Sequence, residues 1–179
     1  MAELSAGRER ALDQLMQRHS EKLFHYLVRI VQNEEDADDV AQEAFVRVYQ
    51  HRDKFKTGQK FSTWLYAIAT NLARDRLRWR ARHPAVSLAD LRPEEGLGGL
   101  MAQEQLTPSE TLEAAELSQS VRRAVTNLPE ELRVPLILAE YQDMSQAEIA
   151  EVLRCSLKAV ETRIYRARKQ LRERLHQFV

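Results

Sequence analysis

The chain has 179 residues with 27 Lys and Arg against 27 Asp and Glu, so its formal net charge is zero and bulk charge cannot drive it to coat nucleic acid. Five glycines and five prolines are few, charged residues reach 30%, and the supply of Ala, Leu, Glu, Arg and Gln favours helix over sheet. The single Cys155 excludes an internal disulfide and a cysteine zinc site, no apolar run reaches the length of a membrane span, and the N-terminus lacks a signal-peptide core; the reading is a soluble cytoplasmic protein without direct membrane insertion.

In chain order, Leu12, Leu15, Leu23, Leu27 and Ile30 predict a long amphipathic helix over 8–31. Asn33, three residues before Asp36, is placed to cap the next helix, which carries Val40, Ala44 and Val48 on one stripe and runs to about His51. Thr57-Gly58-Gln59 breaks the pattern. Phe61, Leu65, Ile68 and Leu72 then mark the buried stripe of a third helix, and the three helices close a small core over residues 1–83.

Two faces of this first unit carry chemistry. The acidic helix Asp36-Ala-Asp-Asp-Val-Ala-Gln-Glu-Ala-Phe45 places carboxylates near a helix N-terminus, where they are stabilising in their own right. The functional alternative is docking to a basic protein surface through Asp39, Gln42, Glu43 and Phe45. No His or Cys converges on these acids and Glu-x-x-His pairs are absent, so neither a metal nor a cofactor is expected. The following helix sets Asn71, Arg74, Arg78 and Arg82 on one side, widened by Arg76 and Arg80, with Asp75 as the stripe's only acid. Trp64 and Tyr66 lie near its start, beside the loop Lys56-Thr57-Gly58-Gln59-Lys60. Aromatics beside cations suit single-stranded DNA, and a glycine-containing polar loop suits a base drawn out of the duplex. The same aromatics fit a core beneath solubilising arginines equally well, and the pattern leaves both readings open.

Residues 84–108 read as a flexible linker, with Pro93, Gly96, Gly98, Gly99 and Pro108 and no helical periodicity. From Pro84 to Ser120 seven acids face the single base Arg92, a composition that resists lying on DNA. About 25 such residues extend to roughly 80 Å, so the units on either side need not touch.

The second unit, 109–179, reads as four helices. The first covers Leu112 to Asn127, and the second starts at Leu128-Pro-Glu-Glu131 with Pro129 at its first position. Ser145-Gln-Ala-Glu148 is a capping box, and Ser156 caps a helix from Leu157 to about Leu175. The tight Arg154-Cys155-Ser156 connection makes the last pair a helix-turn-helix. Val160, Ile164, Ala167 and Leu171 form its buried stripe, and the opposite face offers Lys158, Glu161, Thr162, Tyr165, Arg166 and Lys169 to base edges and phosphates. Between 157 and 174 seven bases, Arg163 among them, oppose Glu161 and Glu173. No glycine-rich nucleotide loop is present, the histidines are scattered, and Cys155 reads as a small buried residue, so no catalytic residues are expected.

Asp36-Ala-Asp-Asp-Val-Ala-Gln-Glu-Ala-Phe45, Lys60-Phe-Ser-Thr-Trp-Leu-Tyr66, Leu128-Pro-Glu-Glu-Leu-Arg133 and Val160-Glu-Thr-Arg-Ile-Tyr-Arg-Ala-Arg168, in this order, resemble a bacterial RNA polymerase sigma factor of the extracytoplasmic-function class of the sigma-70 family. The resemblance implies an all-α protein of two small helical domains, sigma region 2 and region 4, without regions 1 and 3. It implies that Asp39, Gln42 and Glu43 bind the clamp helices of the largest subunit of core RNA polymerase. Loop 56–60 with Trp64, Asn71, Arg74 and Arg78 would recognise and open the minus-ten element of promoter DNA. Lys158, Glu161, Thr162, Arg163, Tyr165, Arg166 and Lys169 would read or clamp the minus-thirty-five element, with region 4 also docking on the flap of the second-largest subunit. An anti-sigma factor is the implied inhibitor, and stress or envelope signals the implied trigger. The loop Phe55-Lys-Thr-Gly-Gln-Lys60 varies widely in the family, and Glu161 stands where some members carry a base, so no promoter sequence is transferred. Two other readings remain: a helix-turn-helix regulator with an N-terminal sensor or dimerisation bundle, and a carboxylate metalloenzyme.

Overall fold

The computed structural model of the protein describes residues 2–5, 10–56, 58–84 and 108–176. Most of the predicted linker, together with Thr57, lies outside the described residues. Among the described residues the chain is all-α: α1 (Ala2–Ser5), α2 (Arg10–Val31), α3 (Glu34–Gln50), a 3-10 turn (Arg52–Lys54), α4 (Phe61–Arg82), α5 (Pro108–Thr126), α6 (Glu130–Glu140), α7 (Gln146–Leu153) and α8 (Leu157–Leu175).

Helix α3 begins as its sequence requires. The Asn33 side chain accepts the Asp36 N–H at 2.7 Å, while Gln32 takes a left-handed φ of 58° to turn the chain out of α2. Ala37, Ala41 and Ala44 are buried, so α2 and α3 approach closely around Val40, Phe45 and Val48. Helix α4 closes the unit with a buried sector of Leu65, Tyr66, Ala69, Thr70 and Ala73. The predicted stripe of Phe61, Leu65, Ile68 and Leu72 is displaced from this sector, and all but Leu65 are half-buried. The displacement arises because α4 is covered on two sides, by α2 and α3 and by the second unit. Its centre holds a polar relay. The single Thr70 hydroxyl proton goes to the Tyr66 carbonyl at 2.6 Å, so the fully buried Tyr26 hydroxyl is the donor to Thr70 Oγ1 at 2.7 Å. The Tyr26 and Tyr66 rings meet edge to face at 4.9 Å. Burial raises both phenol pKa values beyond their ordinary range.

In the second unit Pro129 caps α6 from just outside it, and α6 continues through Pro135. The Ser145–Glu148 capping box opens α7: the Ser145 N–H donates to Glu148 Oε2 at 2.8 Å. Arg154 ends α7 in a left-handed conformation, φ 50°. The Cys155 N–H reaches the Ala150 carbonyl and the Arg154 N–H the Glu151 carbonyl, a Schellman pattern formed without the glycine that usually occupies it. Ser156 Oγ accepts the Ala159 N–H and starts α8.

A tether long enough to hold the units apart does not keep them apart here. Val134, Ile137, Leu138, Met144, Ile149 and Val152 belong to the same hydrophobic cluster as Leu23, Tyr26, Ile30 and Leu65. At the seam stands Arg133, which is buried, with a guanidinium pKa that burial lowers. It donates to the Ile30 carbonyl at 3.1 Å and to the Thr126 carbonyl at 2.7 Å, so one cation closes the C-terminal turns of α2 and α5 together. Gln32 Nε2 reinforces the seam by donating to the Thr126 carbonyl at 3.0 Å.

Candidate functional site

Three surfaces were expected to carry function, and they differ in what the fold leaves available. On α3, Asp39 and Gln42 are exposed and Glu43 is half-exposed. Gln42 donates to Asp38 at 2.8 Å and Glu43 pairs with Arg47 at 2.8 Å, so this face is pre-ordered by its own helix. Phe45 does not share it. Residue 45 lies on the inward side of the helix, and the ring is buried in the core. The apolar residue on the outer face is Val46, 46% exposed and one helical turn beyond Gln42 and Glu43; the sequence reading missed it, although that i, i+3, i+4 spacing from Glu43 and Gln42 was the available signal. Asp36 also turns inward. Its carboxylate receives Arg76 Nε at 2.6 Å and Arg80 Nη1 at 3.2 Å, and Arg80 Nη1 further reaches the Val31 carbonyl at 2.9 Å. Two arginines expected on the nucleic-acid stripe thus tie α4 to the start of α3. Between α3 and α4 an open groove of about 440 Å³ is lined by Asp39, Glu43, Leu72 and Trp79. The Trp79 ring stacks on His83 at 4.6 Å.

The second surface is the start of α4 with its preceding loop. Phe55, Phe61 and Trp64 form an edge-to-face aromatic group with centroids 5.3 and 6.4 Å from Trp64, and His19 lies 5.0 Å from Phe61. Trp64 is half-buried in this group, whereas Tyr66 belongs to the core, so the two readings of the aromatics divide between the two residues. Gly58 has φ 90°, a conformation that favours glycine and turns the loop toward α4. Lys56, Asn71 and Arg78 are exposed, and Arg78 pairs with Asp75. The remaining candidates are engaged by the second unit. Lys60 Nζ lies 2.7 Å from Glu148 Oε1, Gln59 bonds Glu151, and Arg74 Nε donates to Glu130 at 2.8 Å. The Tyr66 hydroxyl donates to Gln142, and the Arg29 guanidinium lies 4.3 Å over the Tyr141 ring. Hydrogen bonds from Lys60 and Ser145 hold the Glu148 carboxyl down at about 2, well under its ordinary 4.5.

The third surface is the outer face of α8. Val160, Ile164 and Ala167 are buried as their spacing predicts, which turns Lys158, Tyr165, Arg166 and Lys169 outward. Tyr165 is 69% exposed. Glu161 pairs with Lys158 at 3.0 Å, and the Thr162 hydroxyl donates to the Lys158 carbonyl at 2.8 Å. Arg163 is the exception: half-buried, it donates to Cys155 Sγ at 3.7 Å and braces the turn. Arg168 and Arg172, absent from the predicted reading set, line a groove with Glu161, Tyr165 and Lys169, and Arg168 also bonds Glu140 at 2.6 Å.

Among the described residues no group of His, Cys, Asp or Glu is placed to hold a metal ion, and no helix is long and apolar enough to cross a membrane. A unit with an exposed acidic helix face and a cationic, aromatic helix, joined to a helix-turn-helix unit, has the layout of a DNA-binding transcription-initiation factor. The comparisons with known proteins agree. Sigma-70 region 2 matches residues 15–83 and sigma-70 region 4 matches residues 118–171. The chain is 34% identical over 176 residues to the ECF RNA polymerase sigma factor SigW of Bacillus subtilis (strain 168), covering 97% of this chain and 93% of that protein. It is 35% identical over 166 residues to the RNA polymerase sigma-H factor of Pseudomonas aeruginosa, covering 92% and 86%. Among solved structures it resembles CnrH in complex with the cytosolic domain of CnrY, with a TM-score of 0.69 and 30% identity over 98% of this chain and 94% of that one. The chain belongs to the extracytoplasmic-function class of the sigma-70 family. It is an RNA polymerase sigma factor that directs promoter recognition, DNA melting and transcription initiation, and the reading as a regulator with a sensor bundle gives way to it.

Proposed function

We propose that this sigma factor is a two-point promoter clamp. In it Asp39, Gln42, Glu43 and Val46 dock on the clamp helices of the largest polymerase subunit, and residues 109–179 also dock on the flap of the second-largest. Lys56 to Lys60 with Trp64, Asn71, Arg74 and Arg78 engage and open the minus-ten element. Lys158, Glu161, Thr162, Tyr165, Arg166 and Lys169 read or clamp the minus-thirty-five element, with Arg163 holding the turn. The observation that carries this reading is the outward face of α8, cationic and aromatic behind a capped helix-turn-helix, on a chain whose other cationic helix lies in a separate unit. Zero net charge fits, because DNA affinity then comes chiefly from the assembled holoenzyme rather than from this subunit alone. The protein acts in the cytoplasm, without chemistry of its own, and answers stress or envelope signals through release from an anti-sigma factor; its likeness to CnrH, a protein held in complex with the cytosolic domain of CnrY, supports control by a protein partner.

The test is run-off transcription with purified core polymerase on a randomised promoter library. The expected result is a promoter-dependent transcript carrying two enriched elements. Failure to co-elute with core polymerase, or transcripts without enriched elements, would overturn the reading.

A further inference from the structure

We propose that Glu161 makes this sigma factor select cytosine at one position of the minus-thirty-five element, with Lys158 offsetting the repulsion between its carboxylate and the flanking phosphates. The inference rests on the reading of α8 as the minus-thirty-five surface. Within that reading set of Lys158, Glu161, Thr162, Tyr165, Arg166 and Lys169, Glu161 is the only acid. Helix stability does not account for it. Its pair with Lys158 at 3.0 Å joins side chains that are 39% and 85% exposed, and such an exposed pair contributes little. Glu161 also stands beyond the first turn of α8, which starts at Leu157, where the favourable effect of the helix dipole on an acid has died away. On a face that meets phosphates, an uncompensated carboxylate weakens binding.

The base edges decide what this acid can bond. In the major groove guanine presents acceptors at O6 and N7, thymine an acceptor at O4, and adenine an acceptor at N7 beside its N6 donor. Cytosine alone presents a donor, N4–H, without an acceptor of its own beside it. An ionised carboxylate only accepts, so it bonds cytosine and is disfavoured at the other three bases. Its place on α8 suits that contact. Glu161 lies in the N-terminal half of the helix, the part of a reading helix that meets base edges, and shares one face with Lys158, Thr162 and Tyr165. With Gln146, the first residue of α7, it borders a groove of about 350 Å³ whose cations, Arg168, Lys169 and Arg172, lie further along α8 and suit phosphates. Lys158 Nζ donates to Glu161 Oε2 at 3.0 Å, which leaves Oε1 to accept from a base. The Thr162 hydroxyl donates to the Lys158 carbonyl and Arg163 to Cys155, so neither competes for that oxygen.

The test compares holoenzymes assembled with full-length wild-type, Glu161→Ala and Glu161→Gln chains in run-off selection on one randomised promoter library. The expected wild-type element carries a C·G pair at one minus-thirty-five position, preferred about tenfold over the other pairs. Glu161→Ala should lose the preference at that position and keep the rest of the element. Glu161→Gln, which offers an acceptor to adenine N6 and a donor to N7, should move the choice toward A·T. Lys158→Met should lower the yield from every promoter and leave the base choice as it was, because it removes charge rather than readout. Where a variant gives too little transcript for selection, gel-shift competition of its holoenzyme among four duplexes that differ only at the C·G pair reads the same preference. An unchanged element in Glu161→Ala, a lost position other than C·G, or a glutamine variant that keeps the wild-type choice would each overturn the proposal. A changed base choice in Lys158→Met would overturn the role given to Lys158. A wild-type library without any enriched upstream element would overturn the function reading itself, whereas an enriched element indifferent to residue 161 overturns this inference alone.

Discussion

Helices α4 and α8 are both rich in arginine, yet the fold treats them oppositely. On α4, Arg74 bonds Glu130 and Arg76 and Arg80 converge on Asp36, while on α8 Arg166 and Lys169 are exposed beside an open Tyr165. Composition does not distinguish them; the difference lies in which arginines another part of the chain engages. On α4 Arg74, Arg76 and Arg80 all meet acids of other helices, whereas on α8 Arg168 bonds Glu140 and Arg163 bonds Cys155 but Arg166 is presented beside Tyr165. On the proposed assignments, the face meant for the minus-thirty-five element is open, while Gln59, Lys60 and Arg74 of the face meant for the minus-ten element are held by the second unit.

Breaking the seam tests this contrast most severely. Arg133→Ala strips the Ile30 and Thr126 carbonyls of a buried donor, and chemical denaturation should show a loss of about 3 kcal/mol. Arg133→Lys should recover only part of it, because an ammonium cannot span both helix ends as a planar guanidinium does. Asp36→Ala attacks the structural half of α4 alone. It leaves Arg76 and Arg80 facing each other without their carboxylate, and should cost about 2 kcal/mol in the same measurement, less than a fully buried pair because Arg76 is 37% exposed. Arg166→Ala sharpens the other side. Thermal stability should hold, while minus-thirty-five duplex binding by the holoenzyme weakens about tenfold and its salt dependence drops by about one unit of slope. An unchanged footprint and slope would remove Arg166 from the reading set.

Smaller effects separate the turn from the seam. Arg154→Gly relieves a left-handed residue in the helix-turn-helix and should stabilise the chain by up to about 1 kcal/mol by thermal melting. The smallest effect is the pH response of the Lys60–Glu148 pair at the seam. Glu148 has its pKa lowered from 4.5 to about 2, so the contribution of its pair with Lys60 is complete above 4.5 and is lost as pH falls through about 2. Scattering between about pH 6 and pH 8 should therefore show no change in compactness attributable to this pair.

What was legible in the sequence was what local chemistry decides. Asn33, Ser145 and Ser156 cap where their types and spacing say they should, because a cap involves residues three apart. The stripe of α8 was readable because α8 is covered on one side. That of α4 was displaced because a second unit covers it too, and periodicity carries no signal for a helix with two buried sides. Arg133 bonds a carbonyl 103 residues away and Arg80 a carboxylate 44 away, so neither role leaves a local trace. For the same reason Arg76 and Arg80 looked like DNA contacts: a cationic stripe reads alike whether its partner is a phosphate or Asp36.

The most direct test of the contrast joins the two units reversibly. With Cys155→Ser in the background, Gln59→Cys and Glu151→Cys can be bridged by a short, reducible bifunctional thiosulfonate, since these side chains are hydrogen-bonded in the closed chain. The bridged protein should give no promoter-dependent transcript with core polymerase, and reduction should restore the level of the same variant never bridged. Full transcription from the bridged protein would contradict the account, because the surface proposed for the minus-ten element would then be working while still held against α7.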